Sequence, residues 1–206
     1  ILHSFPTDAL PISDNYNNTL VEKKAFYVIN VIRPFYTDIR VIYKLITDAL
    51  IKSVYERTDS DRDIGLTLSG GFDSSLVGGI VTKILKYPNL LTYTTGCKGS
   101  IDIYYARKAA KHFGTKHTEF LLTKEDGIDF VKNDLVKITE TWDVTTNRAS
   151  IGQAYVDKKI SETTDTKVIL NGDGADELFM GYMYNHYSPS EEESNNDTIK
   201  RMNEIS

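Results

Sequence analysis

The run Ser69-Gly70-Gly71-Phe72-Asp73-Ser74-Ser75 concentrates the residue types that handle phosphate. Two adjacent glycines let a backbone approach a ligand closely and adopt angles that other residues resist. Successive N–H groups in such a turn form an anion nest, and a helix dipole behind it favours negative charge. Ser69, Ser74 and Ser75 add hydroxyl donors, and Asp73 can hold the magnesium ion that accompanies a polyphosphate. The Gly-Lys-Ser/Thr ending of the ordinary phosphate loop is missing, which disfavours a kinase or GTPase of that type. By itself, a Gly-Gly pair also serves as a turn that packs a helix on a sheet. The serines and the aspartate at these offsets favour the phosphate reading.

Such a loop needs a strand before it and a helix after it. Ile64 to Leu68 reads as a strand, and a helix follows from about Ser74 to Leu85. Leu91 to Thr95 is a second strand, Ser100 can cap a helix through Phe113, and Lys116 to Leu122 is a third strand. Thr123-Lys124-Glu125-Asp126 resembles a capping box opening a helix toward Thr141. A further helix covers about Ile151 to Ser161, and Val168-Ile169-Leu170 is a short buried strand before a second glycine turn. Ahead of the alternation, Ile39, Ile42, Leu45, Ile46, Ala49, Leu50 and Val54 repeat at spacings of three and four, one face of a helix. Repeated strand–helix alternation with short connections implies an α/β fold, a parallel sheet flanked by helices.

Residues 1–36 carry Pro6, Pro11, Pro34 and a polar stretch, and read as a linker with one short strand at Ala25 to Val31. Residues 37–190 form the α/β domain, and the polar 191–206 reads as a solvated helix start or as disorder. The 206 residues, with 40% apolar and 26% charged, suit one globular domain with a full core. A net charge of -5 with no dense Lys/Arg run weighs against a nucleic-acid partner. The single Cys97 excludes a disulfide framework and a Cys-based zinc site, and fits a reducing, cytoplasmic compartment. No run of 18 apolar residues marks a membrane span, and residues 1–36 show no basic flank followed by an apolar core, so neither a span nor a signal peptide is expected in them. Trp142 is expected in the core and Cys97 as an inert buried thiol, while His112, His117 and His186 lack metal-ligand spacing.

Ser69 to Ser75 resembles the pyrophosphate loop, Ser-Gly-Gly-x-Asp-Ser-Ser, of the ATP pyrophosphatases, whose fold is adenine-nucleotide alpha-hydrolase-like. Two later blocks narrow the resemblance. Asn171-Gly172-Asp173-Gly174-Ala175-Asp176-Glu177-Leu178, followed by Gly181-Tyr182, is similar to the second glycine block of asparagine synthetases. Glu140 to Ser150, which contains Thr145-Thr146-Asn147-Arg148, resembles that family's Glu-Thr-Tyr-Asp-x-Thr-Thr-x-Arg-Ala-Ser. The resemblance covers roughly residues 60 to 190.

It implies a domain that uses ATP and Mg2+ to adenylate the side-chain carboxylate of aspartate, releasing pyrophosphate, so that ammonia gives asparagine and AMP. On that pattern the Ser69–Ser75 loop holds pyrophosphate, Asp73 and Asp176 serve magnesium, and the backbone at Thr67, Thr95, Asn171 and Gly172 holds adenosine. Thr145, Thr146 and Arg148 would steady the adenylate and the substrate; a helix N-terminus capped by Asn147 or Ser150, with Arg148 exposed, is the plain alternative. Asp173 stands where the family usually has a catalytic Glu, one methylene longer. The family's glutamine-hydrolysing members carry an N-terminal glutaminase domain, and Phe5-Pro6 with the linker looks like the exit from one. The family's substrate-contacting lysine would lie beyond Ser206. A homodimer is compatible with the family. Alternatives are a relative acting on another acid, such as a β-lactam synthetase, and a degenerate nucleotide-binding module without catalysis.

Overall fold

The computed structural model describes residues 38–205. The expected linker, its strand and the Phe5-Pro6 exit lie outside them. The described residues fall into two compact units, 38–173 and 174–205.

The first unit is built on four strands, β1 (Ile64–Thr67), β2 (Leu91–Gly96), β3 (Lys116–Leu121) and β4 (Val168–Leu170). All pair in parallel in the order β3-β2-β1-β4, so the expected parallel sheet flanked by helices is present. The chain steps outward from β1 to β2 and β3, then returns to place β4 on the other side of β1. The strand order thus reverses between β1 and β4, a switch point of the kind at which α/β sheets open a crevice at their carboxyl ends.

Side-chain alternation divides the core. Ile64, Leu66 and Leu68 join Val54, Ile80, Val81, Leu90 and Ala110 in one cluster, formed with helices α1 (Ile39–Thr58), α2 (Phe72–Gly79) and α3 (Ile101–Phe113). On the other face Tyr93, Val156 and Ile160 pack together, which brings helix α6 (Val144–Thr163) against β2. Helix α4 (Lys124–Phe130) contributes Phe130, and the π-helical stretch Val131–Leu135 that leads into the short α5 (Val136–Thr139) contributes Leu135, to a third cluster with Ala154 and Tyr155.

Local signals set the helix ends. Ser100 accepts from Ile103 N at 3.3 Å to open α3, and Gly114 closes it at φ +71. The capping box at Thr123 is present: its Oγ1 accepts from Asp126 N at 3.1 Å while Asp126 Oδ2 accepts from Thr123 N at 3.2 Å. α2 starts two residues earlier than expected and continues as a π-helical stretch over Ile80–Ile84. α1 buries less than its periodicity suggests: Leu50, Ile51 and Val54 meet the core, while Ile39 and Leu45 are exposed.

The second unit holds α7 (Ala175–Phe179), a 3-10 turn (Met183–Tyr187) and α8 (Glu191–Ile205), so the polar 191–205 stretch is helical. Within it Tyr182 donates to Glu177, which holds the phenol far above its ordinary value, and Arg201 stacks 4.9 Å from the Tyr184 ring centre.

Two expectations need correction. Trp142 is 86% exposed rather than core, because it sits in the short turn between α5 and α6. Cys97 is exposed rather than buried, lying just past the end of β2.

Candidate functional site

At the carboxyl ends of β1, β2 and β4 lies a cleft of about 260 Å3. Its lining contains Thr67, Ser69, Gly71, Asp73, Ser74, Thr95, Gly172 and Asp173, eight of the residues singled out from the sequence.

The loop after β1 is shaped by its glycines. Gly70 has φ +78, and a Cβ there would come within 2.5 Å of Ala106 N, so the loop lies directly on the backbone of α3. Ser69 Oγ and Ser74 Oγ share a hydrogen bond of 2.9 Å. Ser74 Oγ also accepts from Ser69 N at 3.3 Å, and Ser69 Oγ from Gly71 N at 3.2 Å. The two hydroxyls thus fold the loop over the start of α2. No side chain caps α2, whose N-cap is Gly71. The first-turn amides of a helix have no acceptor within it, and its dipole favours negative charge there. Ser75 lies half-buried inside α2, its N–H bonded to Gly71 O at 3.2 Å, and is not part of the lining.

The turn after β4 meets this loop. A Cβ on Gly172 would lie 2.6 Å from Ser74 N and 2.9 Å from Asp73 C, so only glycine permits the approach. Asn171 Nδ2 donates to Asp173 Oδ2 at 2.9 Å, which orients that carboxylate. Asp73 and Asp173 therefore border one cleft.

Thr67 and Thr95 turn their hydroxyls to backbone carbonyls, Thr67 to Leu170 O at 3.4 Å and Thr95 to Phe120 O at 2.7 Å. What they leave for a ligand at the strand ends is backbone.

Thr145, Thr146 and Arg148 are exposed residues of the first two turns of α6 and do not line the cleft. The helix cap is neither Asn147 nor Ser150 but Asp143, whose Oδ2 accepts from Thr146 N at 2.6 Å; that bond holds the Asp143 carboxyl below its ordinary value. Arg148 has no ion-pair partner among the described residues. Helical spacing places Thr145 and Arg148 on the stripe that continues through Gly152 and Val156, both in the cleft wall.

Asp176 belongs to the second unit, in the first turn of α7. Its Oδ1 lies against Gly181 Cα, and its carbonyl accepts from Gly181 N at 3.0 Å. Among the described residues no group of three or more His, Cys, Asp and Glu could by itself hold a metal ion.

Besides Leu68, Tyr93, Thr94 and Val156, the lining includes two further α6 residues not singled out from the sequence, Gly152 and Gln153. Neither carried a sequence signal beyond its place in a helix.

Comparison with known proteins identifies relatives of this chain. The Asparagine synthase family model matches residues 45–204. The chain is 39% identical over 173 residues to an asparagine synthetase [glutamine-hydrolyzing] of Gallus gallus, covering 82% of this chain and 29% of that one. The corresponding Homo sapiens protein is 41% identical over 158 residues, 74% of this chain and 28% of that one. The chain thus spans less than a third of the length of these curated relatives. An NH3-dependent NAD synthetase structure from Campylobacter jejuni aligns with a TM-score of 0.47 at 17% identity, over 78% of this chain and 73% of that one, too loosely to argue from. With the family model matching most of its length, this chain belongs to the asparagine synthase family.

Proposed function

We propose that this domain, as part of a ligase, activates the side-chain carboxylate of aspartate with ATP so that ammonia can form asparagine. A carboxylate does not react with ammonia, because its leaving group would be oxide. Attack of a carboxylate oxygen on the α-phosphate forms a new O–P bond and breaks the α–β bridge, expelling pyrophosphate. The product is an acyl-adenylate. Ammonia then adds to its carbonyl carbon, AMP leaves with the carboxyl oxygen, and the nitrogen gives up a proton.

One observation carries this reading: the Ser69–Ser74 loop and the Gly172–Asp173 turn, from separate sequence blocks, wall one cleft in a chain of this family. The residues there suit a negatively charged transition state. The uncapped amides of α2 and the seryl hydroxyls are placed to receive the departing pyrophosphate, and donors aimed at developing charge are the largest electrostatic aid a site can offer. Mg2+ would suit the hard carboxylate oxygens of Asp73, and would neutralise charge on the polyphosphate. Thr145 and Arg148, on the cleft-side stripe of α6, are assigned to the carboxylate substrate. Asp173, in the cleft wall and oriented by Asn171, is the candidate to take a proton from the attacking ammonia. In the complete protein, ammonia would come from glutamine hydrolysed by an N-terminal domain.

The test is aspartate-dependent exchange of labelled pyrophosphate into ATP by the full-length product of the gene. Exchange driven by aspartate is the expected result. Exchange driven only by a different carboxylic acid would sink the aspartate assignment and favour a β-lactam-synthetase-like relative. ATP binding with no exchange under any acid would leave a nucleotide-binding module, the reading that the short Asp173 favours.

A further inference from the structure

Asp157 is a half-buried carboxylic acid on α6 that the steps above leave without a role. It stands four residues after Gln153, so the two share a helix face. Gln153 lines the cleft, and its Nε2 lies 3.0 Å from Asp157 Oδ1 and 3.1 Å from Oδ2. An ionised carboxylate only accepts, so the amide must turn its nitrogen toward Asp157. Its Oε1 occupies the opposite corner and accepts no hydrogen bond from any described residue. Burial pushes the Asp157 carboxyl above its ordinary value, the Gln153 hydrogen bond opposes this, and nearby Asp173 adds to the rise.

The neighbours of Gln153 suit a flat ring. Gly152 presents no side chain, and a Cβ there would meet only Thr95 Cγ2, at 3.8 Å. Val156 and Tyr93 add apolar wall. With phosphates held by Ser69–Ser74, the nucleoside is left the wall formed by β2 and α6. Pockets for such ligands are apolar with a few placed polar groups, and Gln153 supplies one.

We propose that Gln153, its amide orientation fixed by Asp157, reads the nucleobase: Oε1 accepts from the exocyclic amino group of adenine and meets the lone pairs of a 6-oxo purine. Gln153 is the specificity residue and Asp157 a positioning residue acting through it. The inference rests on ATP being the substrate and adds how the site selects it.

The experiment is equilibrium binding of ATP, ITP and 2′-deoxy-ATP to the full-length gene product and its variants. The parent should prefer ATP to ITP. Gln153→Met, close in shape and lacking the acceptor, should shrink that preference about tenfold, the worth of roughly one hydrogen bond. Asp157→Asn should shrink it by improving ITP binding, since an asparagine amide can donate to Oε1 and let Gln153 turn its nitrogen to the 6-oxo group. The ATP to 2′-deoxy-ATP ratio should not move in either. An unchanged ATP to ITP ratio in both variants overturns the inference, as does a change confined to the 2′-deoxy ratio, which would place Gln153 on the ribose. Loss of ATP binding by the parent would instead sink the ATP reading and this inference with it.

Discussion

Gly172 and Asp173, adjacent residues, show how closely the cleft is specified. Because a Cβ on Gly172 would lie 2.6 Å from a backbone nitrogen, Gly172→Ala must push the β4 turn away from the loop after β1. Displacing reacting groups by about 1 Å can lower a rate on the order of 100-fold, and aspartate-dependent pyrophosphate exchange should fall by that much. Gly79→Ala, whose Cβ would meet only Phe113 at 3.9 Å, should leave exchange and stability near the parent's. Asp173 is tested by length. Asp173→Glu should keep or raise synthesis, and Asp173→Ala should remove most of it; equal synthesis by the Ala variant and the parent would show that the position does no chemistry. These residues were legible in the sequence because glycine and carboxylate recur there in a known order. Gln153 was not, because its meaning lies in an i, i+4 bond to Asp157 and in which face of α6 turns inward, and both need the packed helix.

Among the elements, α6 departs furthest from its sequence reading. Ile151 to Ser161 is its apolar stretch, and Val144-Thr145-Thr146 are β-branched residues of modest helix propensity that read as loop. Asp143 decides otherwise by capping the helix seven residues earlier than expected. Asn147 then ties the turn in front of it, accepting from Thr139 Oγ1 at 2.8 Å and donating to Thr141 O at 2.9 Å. The strands were easier to read, since β1 and β4 are short, largely apolar runs and β2 is rich in Thr and Tyr, each bounded by turn residues. The cap matters because it fixes the turn that carries Thr145, Thr146 and Arg148. Asp143→Ala should fray that turn, raise the KM for aspartate severalfold and lower the Tm by a few degrees. Asp143→Asn caps comparably and should restore both. An unchanged KM in the Ala variant would separate this turn from substrate binding.

At the scale of the whole molecule, acid should weaken the first unit through a cluster on β3 and α3, away from the cleft. His117 Nδ1 lies 3.0 Å from Thr92 Oγ1, and Nε2 is buried with no hydrogen-bond partner among the described residues. Arg107 holds Glu119 through both carboxylate oxygens, with Nη2 to Oε2 at 2.7 Å, and Glu119 Oε1 is 3.9 Å from His117 Nε2. Burial pushes the imidazole below its ordinary value of 6.5; Glu119 pulls the other way and Arg107 reinforces the fall. The Arg107 hydrogen bond holds Glu119 below its ordinary 4.5. For a group whose folded value is depressed, the unfolded chain binds the proton first as pH falls, so stability is lost. The His117 contribution is complete above 6.5 and declines as pH falls through its folded value; the Glu119 contribution follows the same course below 4.5. Asp157, with its carboxyl raised above 3.8, acts in the opposite sense in the more acid region and blunts the second step. The cleaner window is therefore just below 6.5. Denaturant midpoints should fall there in the parent, and the fall should flatten in His117→Asn while the loss in more acid solution persists. A midpoint that rises from pH 7 to pH 5.5 would mean that Glu119 outweighs burial and that His117 is charged in the folded protein.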